Sequence, residues 1–123
     1  MDRFFDHYVM TAMQKPVAVA LQRESGRLDV ALADARQSLD TAYRWLEQRL
    51  AGRTWAAGEV FSMADCAAAP SLFYADWVHP IGADYPTVRA YRTRLLGRPS
   101  FARAVEEGRP YRSYFPLGAP DRD

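Results

Sequence analysis

The sequence predicts an all-α protein of five helices packed as a bundle. Apolar residues recur at steps of three and four along the longer segments, and no stretch alternates between apolar and polar residues as a strand does. Several segment ends are marked by proline or glycine, at Gly26, Pro86, Gly97, Pro99 and Gly108. The 123 residues are 49% hydrophobic, which is enough to give one domain a core of its own.

The first predicted helix covers residues 2–23, with Phe5 and Val9 on one face. Pro16 is expected to kink or divide this helix, because proline removes a backbone donor and its ring clashes with the preceding turn. Residues 24–26 contain a glycine and are expected to end it.

The second predicted helix, residues 29–51, has the clearest periodicity. Its apolar residues form one stripe at steps of three and four: Leu32, Ala35, Leu39, Ala42, Leu46 and Leu50. Charged residues occupy the other faces, which is typical of a helix with one buried and one solvated side. This segment is therefore expected to pack along its leucine stripe.

The third predicted helix, residues 63–78, carries a start signal at each of its first positions. Ser62 can act as the N-cap, and the Asp65 carboxylate can return to the Ser62 N–H, which makes a capping box. Phe61 is expected to pack as a hydrophobic staple on Cys66. That contact would bury the thiol, where cysteine behaves as a small hydrophobic residue.

Two short helices complete the predicted bundle, at residues 86–96 and 99–107. Each begins at a proline, which suits the first turn of a helix, and each is followed by a glycine. Residues 109–123 are rich in proline and glycine and are predicted to form an irregular tail. The predicted organisation is one helical domain, residues 1–108, followed by this tail.

Composition excludes several classes of function. The net charge is +1 with both signs spread along the chain, so no basic surface for nucleic acid or an anionic membrane is expected. The single cysteine excludes an internal disulfide. Residues 1–6 do not read as a signal peptide, and residues 66–78 are too short and too polar to cross a bilayer. A cytoplasmic location is the expectation.

No common catalytic signature is present. The sequence has no glycine-rich phosphate loop, no paired Cys or His at metal-ligand spacing, and no Gly-x-Ser-x-Gly elbow. His7 and His79 have no Cys or carboxylate neighbours at ligand spacing, so surface or capping roles are favoured over catalysis. The capping geometry already accounts for Asp65. No catalytic residue and no metal ligand are therefore assigned.

Three sequence segments together resemble a known family. Residues 55–65, WAAGEVFSMAD, are similar to the segment of glutathione transferases that introduces the central helix of their C-terminal domain: an apolar residue, Ser or Thr, two residues, then Asp. Residues 85–91, YPTVRAY, and 98–101, RPSF, resemble the last two helices of that domain and the turn between them. The resemblance spans essentially the whole chain. It implies the five-helix orthogonal bundle of a bacterial-type glutathione S-transferase C-terminal domain.

The resemblance also implies what this chain does not supply. Glutathione transferases bind glutathione and carry the catalytic residue in an N-terminal thioredoxin-like domain, and no alternating βα pattern is found here. The chain is thus expected to be inactive alone, with that domain as its missing partner. Glutathione would be the co-substrate of the parent enzyme, with no cofactor covalently bound.

By position in the family, Tyr8, Thr11 and Ala12 on the first helix would face a hydrophobic electrophile in the co-substrate pocket. Tyr114 and Phe115 in the tail would close that pocket. The aromatic residues of the tail suit pocket lining and an ordinary structural role about equally, so both interpretations stay open.

Other positions receive roles only through the resemblance. Asp2 matches the acidic residue that meets the amino group of glutathione across the dimer, which implies a homo-oligomer. Phe61, Ser62 and Asp65 would be structural, with Asp65 as the buried folding determinant. Two alternatives to an enzyme part remain: a non-catalytic protein–protein interaction module with the same fold, and a remnant without function.

Overall fold

The computed structural model describes residues 1–21 and 25–123, and every regular element in these ranges is a helix. This confirms the all-α class and the five helices. Helix α1 has three successive parts, and a 3₁₀ helix follows α5. The bounds are α1, Asp2–Phe4, Phe5–Met10 (π-helical) and Thr11–Leu21; α2, Ser25–Arg49; α3, Met63–Val78; α4, Pro86–Leu96; α5, Pro99–Gly108; and the 3₁₀ helix, Arg109–Tyr114.

Helix α1 differs from its prediction at Pro16. The α-helical part Thr11–Leu21 runs through this proline without dividing, and the departure from α geometry comes earlier, in the π-helical turn Phe5–Met10. Pro16 is buried, so the packing around it offsets the backbone hydrogen bond that proline cannot make. The predicted end of this helix, at residue 23, lies outside the described residues.

Helix α2 begins at Ser25, four residues before the predicted start. Its leucine stripe is buried as predicted, apart from Leu32, which is half-buried. Helix α2 also caps α4 through Glu47. The Glu47 carboxylate accepts the backbone N–H groups of Thr87, at 2.9 Å, and Val88, at 3.0 Å. A carboxylate there satisfies free donors at the helix start and suits the positive end of the helix dipole.

The core lies around α3, most of whose residues are buried. Small side chains at the start of this helix allow its neighbours to approach closely, and larger ones from the other helices fill the space between. The largest fully buried hydrophobic side chains contributed by α1, α2 and α4 are Phe5, Val9, Leu39, Tyr43, Leu46, Val88, Tyr91 and Leu95.

The predicted capping box at the start of α3 is confirmed, and its carboxylate does more than cap. Asp65 is fully buried and accepts the Ser62 N–H at 2.9 Å, the Ala56 N–H at 2.8 Å and the Tyr91 hydroxyl at 2.5 Å. Burial and then this hydrogen bond to Asp65 raise the pKa of Tyr91, which keeps the hydroxyl protonated as a donor. Asp65 thus ties together the loop before α3, the start of α3, and α4.

The predicted staple between Phe61 and Cys66 is wrong, because Cys66 is exposed. The Phe61 ring instead packs edge-on against Trp55, with 5.2 Å between the ring centroids. The Arg98 guanidinium lies over the Phe61 ring, 3.6 Å from its centroid. An aromatic ring gains more from another ring and from a cation than from a small thiol, which accounts for the exchange of partners.

The expected irregular tail is more ordered than predicted. It begins with the 3₁₀ helix Arg109–Tyr114. Residues 116–123, which we call the strap, follow and reach the end of α3. Arg122 forms an ion pair with Asp76 of α3, and Asp123 forms ion pairs with Arg109 and Arg112. Composition predicted an irregular segment here, and the charged side chains give that segment specific partners.

Candidate ligand cavity

A cavity of about 570 Å³ lies between α1, α3, α5 and residues 111–116. We call it the aromatic cavity, because seven aromatic side chains from three parts of the chain line it. They are Phe73, Tyr74 and Trp77 of α3, Phe101 of α5, and Tyr111, Tyr114 and Phe115 after it. Its volume falls in the range of small-molecule sites, and its lining is of the kind that holds apolar ligands.

The wall formed by α3 follows from helical spacing. Phe73 and Trp77 are four residues apart, and their ring centroids lie 4.8 Å from each other. The Tyr74 ring packs edge-on against Trp77 at 5.3 Å. Because these three rings hold one another, this wall of the cavity is fixed by the helix itself.

The lining continues from α3 into the 3₁₀ helix and Phe115, the residue that follows it. The Phe115 ring lies nearly parallel to that of Tyr74, at 5.9 Å, and edge-on to that of Trp77, at 5.3 Å. Tyr111 and Tyr114 stack on each other at 6.4 Å and are largely exposed, so they form the rim. These ring contacts join the α3 side of the cavity to the residues after α5, so an apolar ligand in the cavity would meet a continuous aromatic surface.

Few polar groups border the aromatic cavity. The indole N–H of Trp77 is buried and makes no hydrogen bond within the described part of the chain. The Arg112 guanidinium lies 5.3 Å from the Trp77 ring centroid and is also bound by Asp123. A buried donor without a partner is uncommon in folded proteins, but solvent does not reach the Trp77 N–H, so it is not assigned as a ligand contact.

The structure places the predicted pocket residues in two groups. Tyr114 and Phe115 line the aromatic cavity, whereas Tyr8, Thr11 and Ala12 do not. Tyr8 is 62% exposed, Ala12 is buried in the core, and the Thr11 hydroxyl donates to the Asp6 carbonyl at 2.8 Å.

The part of α1 that does line the cavity is a different face of the same helix. Its residues are Met10, Met13, Gln14 and Val17. A spacing of three and four places these residues on one side of a helix, and Tyr8 and Ala12 fall on the opposite side. Three of the four are apolar, but so is the adjoining core face of the same helix, so the sequence alone does not separate the cavity face from the core face.

The remaining candidates lie away from the aromatic cavity. Asp2 is exposed, and one of its carboxylate oxygens accepts the Arg3 N–H at 2.8 Å. His79 has a structural position after α3, where its ring Nε2 lies 2.8 Å from Asp40 Oδ1. The Tyr43 hydroxyl donates to the His79 carbonyl at 2.9 Å, and burial raises the pKa of Tyr43.

Within residues 1–21 and 25–123, no three His, Cys, Asp or Glu side chains gather where they could hold a metal ion. None of the helices described is both long enough and apolar enough to span a bilayer.

Comparison with known proteins identifies the class of this fold. The family model of the glutathione S-transferase C-terminal domain matches residues 29–94, which is more than half of the chain. The chain therefore belongs to the glutathione S-transferase C-terminal domain family. The match covers most of α2, all of α3 and most of α4, so the α3 side of the aromatic cavity lies inside it. No curated protein and no solved structure matches the chain.

Proposed function

We propose that this chain is the helical half of a glutathione transferase and supplies the wall that holds its hydrophobic co-substrate. The observation that carries the proposal is the cavity of about 570 Å³ lined by seven aromatic side chains. Membership of the family supports a transferase-like role, and the cavity lining supports an apolar, planar electrophile as the ligand.

The chemistry divides between two domains in this proposal. The aromatic cavity holds and orients the electrophile and excludes water. The thiol of glutathione and the residue that activates it belong to a thioredoxin-like domain, which docks on this one. Asp2 is proposed to meet the amino group of glutathione from a neighbouring copy of the chain. Alone, the chain orients one reactant but does not activate the other.

The direct test is binding of a chromogenic aryl halide to this chain, measured by isothermal titration calorimetry. Phe115→Ala removes a ring that contacts both Tyr74 and Trp77. The loss of one aromatic contact is expected to weaken binding about three- to tenfold. Tyr8→Ala is the matched control, because Tyr8 is an aromatic residue of α1 outside the cavity, and binding should be unchanged. Equal effects of the two substitutions would refute the assignment of this cavity.

A second measurement concerns activity. The chain alone is expected not to accelerate transfer of glutathione to the aryl halide above the uncatalysed rate. Acceleration by the purified chain would place the reactive group among its own residues. It would contradict the proposal that a thioredoxin-like domain supplies that group.

An exposed aromatic cluster on α1 and α2 supports the contacts between domains or copies that the proposal requires. The Phe4 ring stacks on Trp45 at 4.2 Å and on Tyr8 at 5.2 Å. Tyr8 and Trp45 remain 62% and 42% exposed. Surface aromatic residues grouped in this way are typical of contact surfaces, because they offer large apolar area at little entropic cost. We propose that a second copy of the chain covers them.

Sedimentation velocity over a range of concentrations tests this contact. Self-association is expected in the wild type and is expected to weaken in the Tyr8→Ala/Trp45→Ala double variant. The Tyr111→Ala/Tyr114→Ala variant removes two exposed rings at the cavity rim and should associate as the wild type does. A wild type that stays monomeric at all concentrations would overturn the proposed oligomer. Association without binding of the aryl halide would instead favour the non-catalytic interaction module.

A further inference from the structure

A second cavity, of about 400 Å³, lies beside the last turn of α3 and shares no lining residue with the aromatic cavity. We call it the arginine cavity. Its charged lining consists of Arg89 and Arg92 of α4, Asp76 of α3, and Arg122 and Asp123 of the strap. Neither the family match nor the proposed transferase role assigns anything to this place.

Positive charge exceeds negative charge in the lining of the arginine cavity. Both Asp123 carboxylate oxygens are bound by arginines from outside the lining, since Oδ1 and Oδ2 accept from Arg109 at 3.0 and 3.1 Å and Arg112 also bonds to Oδ1. Among the described residues, the three lining arginines together with Arg109 and Arg112 are balanced by only three carboxylates, those of Asp76, Asp123 and Glu106. The surplus of two positive charges in and beside one concave surface favours binding of a dianion.

Two of the three guanidinium groups keep donors available. The Arg89 side chain is exposed and makes no hydrogen bond to any residue in the described ranges. Arg92 donates from Nε to the Leu72 carbonyl and from Nη2 to the Phe73 carbonyl, both at 3.2 Å, which holds its side chain in place. These bonds leave Nη1 of Arg92 without a bond to the described residues. One donor group is thus positioned by the fold and the other is free to move onto a ligand.

Arg92 is the least hydrated of these cations. Its side chain is 11% exposed, and its nearest carboxylate oxygen, Asp76 Oδ2, is 3.8 Å from Nη2, beyond hydrogen-bond distance. Burial lowers the pKa of Arg92, although the charge of Asp76 opposes that shift. An anion in the cavity would supply the close negative partner that this buried cation lacks.

We propose that the arginine cavity is a binding site for a small dianionic oxyanion, such as phosphate, a phosphomonoester or a short dicarboxylate, held by Arg89 and Arg92. The planar guanidinium groups match two oxygens on one centre, which is the geometry of both phosphate and carboxylate. Because Arg122 and Asp123 of the strap form one side of the cavity, the bound anion would also hold the strap against α4.

The experiment compares thermal unfolding of the full chain in increasing sodium phosphate and, separately, sodium succinate, with sodium chloride keeping the ionic strength constant. A bound anion raises Tm with saturation, whereas the general salting effect of phosphate raises it without saturation. The wild type is expected to show the saturable rise. Phosphate or succinate giving this rise identifies which oxyanion chemistry the site prefers, and either result supports the proposal.

Two arginine substitutions make the test specific. Arg89→Ala should leave the Tm in sodium chloride unchanged, because the side chain has no partner to lose, and should weaken anion binding about tenfold or more by calorimetry. Arg36→Ala removes the same charge from an exposed position on α2 outside both cavities and should keep wild-type binding. If the wild type shows no saturable rise, or if Arg89→Ala and Arg36→Ala respond equally, these arginines only anchor the strap and the proposal is overturned.

Discussion

Helix α3 buries a carboxylate near each of its ends, and the two carboxylates find different kinds of partner. Asp65, in the first turn, is fully buried and accepts hydrogen bonds from uncharged donors, two backbone N–H groups and the hydroxyls of Ser62 and Tyr91. Asp76, in the last turn, is 7% exposed and accepts one backbone N–H, from Ile81 at 2.8 Å. Its other partners are charged, with Arg122 bonded to it and Arg92 within ion-pair distance.

The two carboxylates therefore differ in whether a molecule in solution can replace their partners. The donors to Asp65 are fixed parts of the backbone and core, so nothing in solution can replace them without unfolding the region. The partner that Asp76 draws from the strap is a half-exposed arginine, which solvent or an anion can reach. Both cavities border the second half of α3, where residues 70–77 contribute to their walls. Both halves of the helix contribute buried residues to the core, and only the second half also borders the two cavities in which ligands are proposed to bind.

The largest expected effect comes from removing the first carboxylate. Asp65→Ala leaves the N–H groups of Ala56 and Ser62 and the Tyr91 hydroxyl buried without an acceptor. Each such donor costs about 1–3 kcal/mol, and not all of the cost is additive, so we expect a loss of about 3–5 kcal/mol in the free energy of unfolding. Urea denaturation followed by circular dichroism measures it.

The control for this substitution is Asp34→Ala, which removes an exposed carboxylate from α2. It should change stability by no more than about 0.5 kcal/mol, as surface sites usually do. A loss below about 1 kcal/mol for Asp65→Ala would contradict the view that this carboxylate organises the fold.

A smaller effect is expected when one donor to Asp65 is removed and the carboxylate stays. Tyr91→Phe keeps the buried ring and deletes a hydrogen bond of 2.5 Å to a charged acceptor. The expected loss is about 1.5–3 kcal/mol by urea denaturation. Tyr111→Phe deletes a hydroxyl from a ring that is 65% exposed and should be neutral. Equal stabilities for the two variants would mean that the Tyr91 bond contributes nothing beyond what water supplies.

The sequence separation of bonded residues explains which features could be predicted from the sequence. The capping box at Ser62 and Asp65 involves residues three apart, so its pattern is visible in the sequence. The bond from Tyr91 to the same carboxylate joins residues 26 apart, and that from Thr87 to Glu47 joins residues 40 apart. No local pattern specifies such pairs, because they depend on how the helices pack. The helices were therefore predictable, and the polar bonds between them were not.

The candidate sites show the same limit. The resemblance placed Tyr114 and Phe115 at a pocket, and both line the aromatic cavity, whereas Tyr8, Thr11 and Ala12 of α1 lie outside it. The arginine cavity could not be anticipated at all. It exists only because the strap returns Arg122 to Asp76, 46 residues earlier in the chain.

The charged partner of the second carboxylate should contribute less to stability than the donors of the first. Arg122→Ala removes the ion pair with Asp76 and the bond to its backbone carbonyl at 3.0 Å, but Asp76 keeps the Ile81 N–H. With Arg122 half-exposed, we expect a loss of about 1 kcal/mol, together with faster amide hydrogen exchange in the strap. Arg103→Ala breaks an exposed pair with Glu107 on α5 and should affect neither measurement.

The smallest effect concerns protonation of the strap at low pH. Hydrogen bonds from Arg109 and Arg112 lower the pKa of Asp123 from 3.8 to about 2. A carboxylate whose pKa is lower in the folded state stabilises that state above its unfolded pKa and loses this contribution as the pH falls through the folded value. The strap should thus stay closed from neutral pH down to about pH 4 and loosen between about pH 4 and pH 2.

Titration of the Asp123 carboxyl carbon by NMR measures this pKa directly. Arg112→Ala removes one of the two cations and should move the midpoint from about 2 toward 3.8. Arg36→Ala, which takes the same charge from α2, should leave the midpoint in place, because exposed charges beyond about 10 Å are screened at ordinary ionic strength. An Asp123 that titrates near 3.8 in the wild type would mean that the strap is not paired in solution. The arginine cavity would then lack the side that Arg122 and Asp123 form, whereas the bonds to Asp65 would be unaffected.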